Sequence, residues 1–101
     1  MAKKYNNDKD FLIIEMNYIE AINCNFGIKL SLNEHLIICD TCNNEINKED
    51  NIYYVAVLNK VLCSDCCEDF IKGYDKCSED EIYEKKHYDY YVNKLNMTND
   101  E

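Results

Sequence analysis

The chain has 101 residues, of which 20 are acidic and 11 are lysine, with no arginine, so its formal net charge is −9. This charge opposes binding to DNA, RNA or anionic lipid, because affinity for phosphate groups comes largely from basic side chains. The length predicts a single domain over residues 1–101, whose small core needs additional stabilisation.

The amino-terminal segment predicts neither a signal peptide nor a membrane span. Its first apolar run, residues 11–14, is short and follows Asp8 and Asp10. The seven cysteines are an odd number, which favours metal ligands in a reducing compartment over a disulfide framework. We therefore expect a cytoplasmic protein, and the many Asn, Lys, Ile and Tyr residues are typical of AT-rich bacterial or phage genes.

The apolar residues near the amino terminus recur at helical spacing. They predict an amphipathic helix over residues 8–25, with an apolar face formed by Phe11, Ile14, Tyr18 and Ile22. A wider stripe, which leaves room for a homodimer, would include Leu12, Met16 and Ile19. Two short strands are expected over residues 28–38.

Two Cys-x-x-Cys pairs follow, Cys39 with Cys42 and Cys63 with Cys66, with 20 residues between them. Two pairs of this spacing supply four thiolate ligands, which is typical of one tetrahedral zinc ion in a closed, structural site. Iron uses the same ligands, but its knuckles usually contain proline, and this chain has none. The expected cofactor is one Zn²⁺ per chain.

The segment between and after the pairs predicts a hairpin and a helix. Residues 52–58 are rich in β-branched and aromatic side chains, a two-residue turn is expected at Asn59 and Lys60, and residues 61–63 return as a strand. Ser64 and Asp65 then start a helix that includes Cys66 to Lys72 and closes at Gly73.

The last helix is predicted over residues 78–95. Ser78 and Glu81 have the spacing of a capping box at its start. Its expected core-facing side chains are Ile82, Tyr83, Tyr90, Tyr91 and Leu95. Residues 96–101 are expected to form a frayed tail.

The order of knuckle, β-hairpin and ligand-bearing helix resembles the treble-clef zinc finger, the layout of LIM-like modules, over residues 39–72. The resemblance implies that Cys39 and Cys42 are the knuckle ligands, that Cys63 closes the hairpin and that Cys66 lies on the helix. The chain departs from the usual pattern because Asn43 and Cys67 stand where glycine often follows the second cysteine. Treble clefs serve in nucleases, ribosomal proteins and adaptors, so the resemblance implies an α+β fold and no single activity.

The other cysteines and the two histidines have no metal-ligand spacing. Cys24 and Cys77 are interpreted as small core residues. Cys67 is interpreted as a buried or idle thiol, with exchange for Cys66 as a ligand the alternative. A second metal site would have to combine residues that are far apart in the chain, namely Cys24, His35, Cys77 and His87.

Function is expected to be binding and not catalysis. The hairpin lacks the histidine that treble-clef nucleases carry, and a metal with four cysteine ligands has no open coordination position. The tyrosines and acids of the last helix suggest a face for a basic protein partner, formed by Tyr83, Glu84, Tyr88, Asp89 and Tyr91. The most concrete hypothesis is a phage or mobile-element inhibitor that mimics the charge of nucleic acid and binds a basic protein such as a defence nuclease. The alternative is a zinc-ribbon-like accessory subunit that docks through its amino-terminal helix.

Overall fold

An antiparallel sheet and three helices make up this α+β structure, a computed structural model that describes residues 2–26, 28–31 and 34–95, without the side chains of residues 28–31 and 34. In chain order the elements are β1 (Lys3–Lys4), β2 (Ile13–Met16), α1 (Tyr18–Asn23), β3 (Ile28–Ser31), β4 (Glu34–Leu36), β5 (Ile52–Val55), β6 (Lys60–Leu62), α2 (Ser64–Gly73) and α3 (Glu81–Lys94). A single turn of 3-10 helix, Ser78–Asp80, precedes α3. The predicted tail, residues 96–101, lies outside the described residues.

The main sheet has four strands in the order β1-β2-β5-β6, and every neighbouring pair is antiparallel. Its two central strands supply much of the core: Ile13, Ile14, Ile52 and Val55 are fully buried. The strands β3 and β4 form a separate two-stranded sheet within the predicted segment 28–38. The main sheet therefore places the end of β6, and with it Cys63, next to the buried centre of the protein.

The amphipathic helix predicted over residues 8–25 is wrong for most of its length. Ile13 to Met16 form β2, in which Ile13 pairs with Val55 and Met16 with Ile52. Only α1 is helical, and it begins after Asn17, whose side chain accepts a hydrogen bond from the backbone N–H of Glu20 in a capping box. A short apolar run suits a buried strand as well as a helix. Here the pairing with β5 makes residues 13–16 a strand.

The docking stripe that the alternative hypothesis needs does not form on the described residues. Met16 is buried in the sheet, Leu12 is half-buried against the core, and only Ile19 of the three is exposed, at 68%. A lone exposed isoleucine is ordinary for a protein surface. The accessory-subunit hypothesis therefore lacks the helical face on which it depended.

The predicted hairpin between the two cysteine pairs is confirmed. β5 pairs with β6 in the register Tyr53 to Leu62 and Tyr54 to Val61. The connection is longer than predicted, because β5 ends at Val55 and residues 56–59 make the turn. Asn59 adopts a φ of 55°, a left-handed conformation that asparagine tolerates better than most residues.

The last helix forms, but its core face differs from the prediction. Val92 is buried and Tyr88, Tyr91 and Leu95 pack against the core, whereas the expected core residues Ile82, Tyr83 and Tyr90 are 71%, 62% and 58% exposed. The predicted capping box of Ser78 and Glu81 is also wrong, since the 3-10 turn intervenes and α3 starts after Asp80 without a side-chain cap.

No helix in the described part of the chain is long and apolar enough to cross a membrane.

Candidate metal centre

The first cysteine pair lies on a tight turn between β4 and β5. The backbone N–H of Asn43 donates to the carbonyl oxygen of Cys39 at 2.9 Å, and the N–H of Thr41 points at the Cys39 sulfur at 3.5 Å. Asn43 closes the turn with a φ of 62°. Asparagine thus supplies the left-handed residue where glycine is usual, which explains the departure at Asn43.

The turn is fastened to β6 by a reciprocal pair of hydrogen bonds. The backbone N–H of Asp40 donates to the carbonyl of Val61 at 2.9 Å, and the Asp40 carboxylate accepts from the N–H of Val61 at 3.1 Å. Val61 is two residues before Cys63. These bonds therefore hold the first cysteine pair against the strand that delivers the second.

The second pair spans the start of α2. Cys63 is the N-cap residue, with an extended backbone, and Cys66 lies in the first turn of the helix. The N–H of Cys67 donates to the carbonyl of Cys63 at 2.9 Å, which begins the helical hydrogen-bond ladder. The strand-to-helix transition turns both sulfurs toward the knuckle.

The four sulfurs form one cluster. The Sγ atoms of Cys39, Cys42, Cys63 and Cys66 all lie within 4.8 Å of one another, and those of Cys42 and Cys63 are 4.0 Å apart. Sulfurs bound to one zinc ion at about 2.3 Å would be about 3.8 Å apart in a tetrahedron. Only a small contraction is needed, so the cluster is positioned to bind a metal ion and its ligands are consistent with zinc.

The electrostatics of the cluster favour a cation. Burial opposes ionisation of Cys39, but the backbone N–H groups of Cys42, Cys63 and Thr41 outweigh it and lower the pKa of this thiol to about 7. Burial raises the pKa of both Cys63 and Cys66, and the nearby negative charge of Cys39 adds to it. Four thiolates this close need a positive ion between them.

Cys39 is the buried member of the set and Cys42 the exposed one, with Cys63 and Cys66 between these extremes. The cluster is thus open to solvent on one side. With four sulfurs converging on one point, the donor set has the ligand count of a closed structural site.

The remaining cysteines and histidines lie apart. Cys24 and Cys67 are buried and Cys77 is exposed, so the core assignment of Cys77 is wrong. Burial raises the pKa of the Cys67 thiol to about 12, which keeps it neutral beside the cluster. His87 contacts the carbonyl of Ala56 through Nδ1 at 2.9 Å. Among the described residues, the four paired cysteines are the single group of three or more potential ligands placed for a metal.

The five residues suggested for partner binding do not share one exposed face. Tyr83 is exposed and Asp89 pairs with Lys85 at 3.2 Å on the surface, but Tyr88 and Tyr91 pack partly against the core. Tyr91 contacts Tyr54, with ring centroids 4.6 Å apart.

The prediction that Glu84 belongs to the partner-binding face is wrong, because this residue is only 2% exposed. Its carboxylate accepts a hydrogen bond from the N–H of Leu12 at 2.8 Å and lies 3.7 Å from the ammonium of Lys76. It attaches α3 to the segment before β2 and is structural.

Sequence reasoning missed two features of the site. One is the role of Asp40 in fastening the knuckle, for which an aspartate inside a turn was a weak signal. The other is an exposed segment, residues 74–83, that runs from the end of α2 into the first turn of α3 and contains both aromatic and acidic side chains with little cover. We refer to residues 74–83 as the acidic segment.

Comparison of the chain with protein-family models, with curated proteins and with solved structures finds no match.

Proposed function

We propose that this protein is a non-catalytic, zinc-stabilised module that binds a basic protein through its acidic surface. Zinc is favoured by the donor set, because four cysteine sulfurs suit its tetrahedral preference. A metal in this position would join the knuckle, β6 and α2 at one point. Metal–ligand bonds of this kind add stability that the small hydrophobic core of a short chain does not supply.

The arrangement of the site supports a treble-clef description. The knuckle at residues 39–42 precedes the β5–β6 hairpin, and the second pair begins α2. We propose that this unit is the scaffold and that recognition lies on the elements attached to it.

The observation that carries the binding proposal is the exposure of the acidic segment. Tyr74, Ile82 and Tyr83 are 55%, 71% and 62% exposed, and they are three of the five large apolar side chains that stand out from the described surface. The same segment carries exposed carboxylates at Asp75, Glu79, Asp80 and Glu81. Exposed carboxylates can pair with basic groups of a partner, and the aromatic side chains among them can fill apolar pockets on the same surface.

The single lysine of the acidic segment does not neutralise it. The ammonium of Lys76 donates to the carbonyl of Asp10 and lies 3.7 Å from the buried Glu84 carboxylate, so it is engaged by groups outside the segment. Lys9 approaches Asp75 only at 3.9 Å, and the Asp75 side chain is fully exposed. The carboxylates therefore remain available to a partner.

A net charge of −9 without arginine would attract proteins that normally bind phosphates. The most concrete form of the proposal is an inhibitor, encoded by a phage or mobile element, that occupies the nucleic-acid-binding surface of a basic protein such as a nuclease. Its carboxylates would take the place of phosphates.

The experiment is affinity capture from the source cell with the full zinc-loaded chain, compared at about 50 mM and about 500 mM salt. Three versions of the bait would be used: the native chain, Tyr83→Ala, and Asp80→Asn combined with Glu81→Gln. We expect capture of a basic nucleic-acid-binding protein that is lost at high salt and weakened in both variants. The captured protein should lose nucleic-acid binding when the native chain is added.

A matched control is Tyr53→Phe, which alters a tyrosine buried in β5 and leaves the acidic segment unchanged. Capture that is insensitive to salt, or equal for all baits, would contradict the proposal.

A further inference from the structure

A groove lies between the hairpin turn, β6 and α2, beside the metal centre. It has a volume of about 240 Å³, and the lining residues that matter for binding are Leu58, Leu62, Asp69, Phe70, Gly73 and Tyr74. Tyr74 is also the first residue of the acidic segment, so the groove is continuous in sequence with the proposed partner surface.

The lining combines apolar walls with one carboxylate. Leu62 and Phe70 form buried parts of the wall, and Tyr74 is more than half exposed. The rings of Phe70 and Tyr74 have centroids 4.7 Å apart at an interplanar angle of 33°. The exposed side chain of Asp69 supplies the acid.

Asp69 has no internal counter-charge in the described part of the chain. No lysine whose side chain the structure describes lies within salt-bridge distance of Asp69, in contrast to Glu84, Asp75 and Asp89. The chain also contains no arginine to reach it. The groove therefore has a negative group next to aromatic and aliphatic surface, with the positive charge left to a ligand.

We propose that this groove binds an arginine side chain of a basic protein partner. The inference rests on the proposed function and specifies the chemistry that the partner must present. The aliphatic part of arginine would lie along Leu58 and Leu62, and its guanidinium would stack on the aromatic wall and pair with the Asp69 carboxylate.

Arginine fits this surface better than lysine. A planar guanidinium stacks on aromatic rings and donates two parallel hydrogen bonds to a carboxylate, whereas an ammonium is a compact, strongly hydrated charge. The groove is thus expected to add a preference for arginine to the general attraction that any basic chain feels.

Gly73 provides a way to fill the groove without disturbing the fold. A Cβ built at this position meets no atom within 4 Å. Because Gly73 lines the groove, Gly73→Leu would add an apolar side chain at the edge of the groove and is designed to obstruct it, and Gly73→Ala would make the same backbone change with little added volume. Both replace a helical glycine and should, if anything, stabilise α2.

The test measures the affinity of the full zinc-loaded chain for oligo-arginine and oligo-lysine peptides of equal length, by fluorescence anisotropy at low salt. We expect the native chain to bind oligo-arginine at least about threefold more tightly, the ratio that a modest cation–π contribution gives. Asp69→Asn and Gly73→Leu should bring the ratio close to one.

Two controls match these variants. Gly73→Ala should keep the preference. Glu68→Gln removes one acid from the position next to Asp69 on α2, and Glu68 lines a different depression with Tyr5 and Ile71. This variant should weaken the binding of both peptides alike and leave the ratio of their affinities unchanged. Metal content and thermal unfolding would verify that each variant is folded, and Asp69→Asn decides the question even if Gly73→Leu is unstable.

Each outcome bears on the inference. If the native chain bound oligo-arginine and oligo-lysine with equal affinity, or if Asp69→Asn and Gly73→Leu left the ratio of the two affinities unchanged, the arginine groove would be overturned. In either case, salt-sensitive binding of both peptides would leave the proposed function in place. Failure of both peptides to bind at low salt would reject the arginine groove and the charge-driven function together.

Discussion

The carboxylate of Glu84 on α3 accepts a hydrogen bond from the backbone N–H of Leu12, across 72 positions of the chain, at 2.8 Å. Lys76 lies 3.7 Å from the same carboxylate and balances its charge. A buried carboxylate is tolerated only when it is hydrogen-bonded and paired, and both conditions are met here. The last helix is therefore attached to the segment before β2 by a polar contact, and to β5 of the main sheet by the contact between the rings of Tyr91 and Tyr54.

Replacing Glu84 by alanine should destabilise the protein by about 1–3 kcal/mol, because the Leu12 N–H loses its acceptor and the Lys76 ammonium loses its counter-charge. Glu84→Gln keeps an acceptor for Leu12 and should cost less. The measurement is chemical denaturation of the zinc-loaded protein. Glu81→Gln, an exposed acid on the same helix, should leave the free energy of unfolding almost unchanged; equal losses in Glu84→Ala and Glu81→Gln would contradict the structural role.

Removal of the metal should unfold the region that joins the knuckle to α2. Without a cation, the raised pKa values of Cys63 and Cys66 leave these thiols protonated, and the cluster contributes little to stability. Native mass spectrometry should find about one zinc ion per chain. A chelator should remove the ion, and the metal-free protein should no longer show a cooperative thermal unfolding transition.

Cysteine variants make this test specific. Cys39→Ser removes the buried ligand and should reduce both metal content and melting temperature. Cys77→Ser changes an exposed cysteine outside the cluster and should alter neither. A chain that remains folded and metal-free in the native form would overturn the scaffold role.

Asn43 should be replaceable by glycine but not by alanine. Its φ of 62° costs an ordinary L-residue about 1 kcal/mol or more, and asparagine and glycine bear that conformation at lower cost. We expect Asn43→Ala to lose zinc to a competing chelator more readily than the native chain, and Asn43→Gly to retain it. The neighbouring Asn44→Ala, outside the left-handed region, serves as the control; indistinguishable zinc retention in all three variants would argue against strain at the turn.

The features predicted correctly from the sequence are those decided by nearby residues. Two cysteine pairs, a β-rich run before the second pair and helix-start residues after it were enough to predict the hairpin, α2 and the grouping of the four sulfurs. Each depends on spacings of a few residues or on the ligand motif itself.

The errors in β2 and on α3 have long-range causes. Residues 13–16 have apolar spacing that suits a helix, and pairing with β5, some 40 positions later, makes them a strand. Similarly, no periodicity marks Glu84 as buried, because its main partner is the distant Leu12. The exposed positions of Ile82 and Tyr83 follow from that contact, since burying Glu84 turns the adjacent face of α3 outward.

Tyr54 should make the protein sensitive to alkaline pH. Its side chain is fully buried, and its hydroxyl donates to the Asn59 side chain at 2.6 Å. Burial, and after it the charge of Tyr91, raises the pKa of Tyr54 well above its ordinary value of 10.0. The folded state therefore holds the Tyr54 proton to a higher pH than the unfolded chain does. The contribution of Tyr54 to the free energy of unfolding is fully present below about pH 10 and declines as pH rises further.

Tyr54→Phe removes both the hydrogen bond and the titrating group. Near neutral pH it should cost about 0.5–1.5 kcal/mol, the value of the lost bond, and the gap from the native chain should narrow above about pH 10 because phenylalanine has no proton to release. Denaturation curves at several pH values measure that gap directly, and Tyr83→Phe, at an exposed position, should show no such narrowing. If the gap for Tyr54→Phe stayed constant with pH, ionisation of the buried Tyr54 phenol would not limit stability at alkaline pH. The other tyrosines whose pKa is raised by burial, Tyr5, Tyr53 and Tyr91, would then be the groups to replace next.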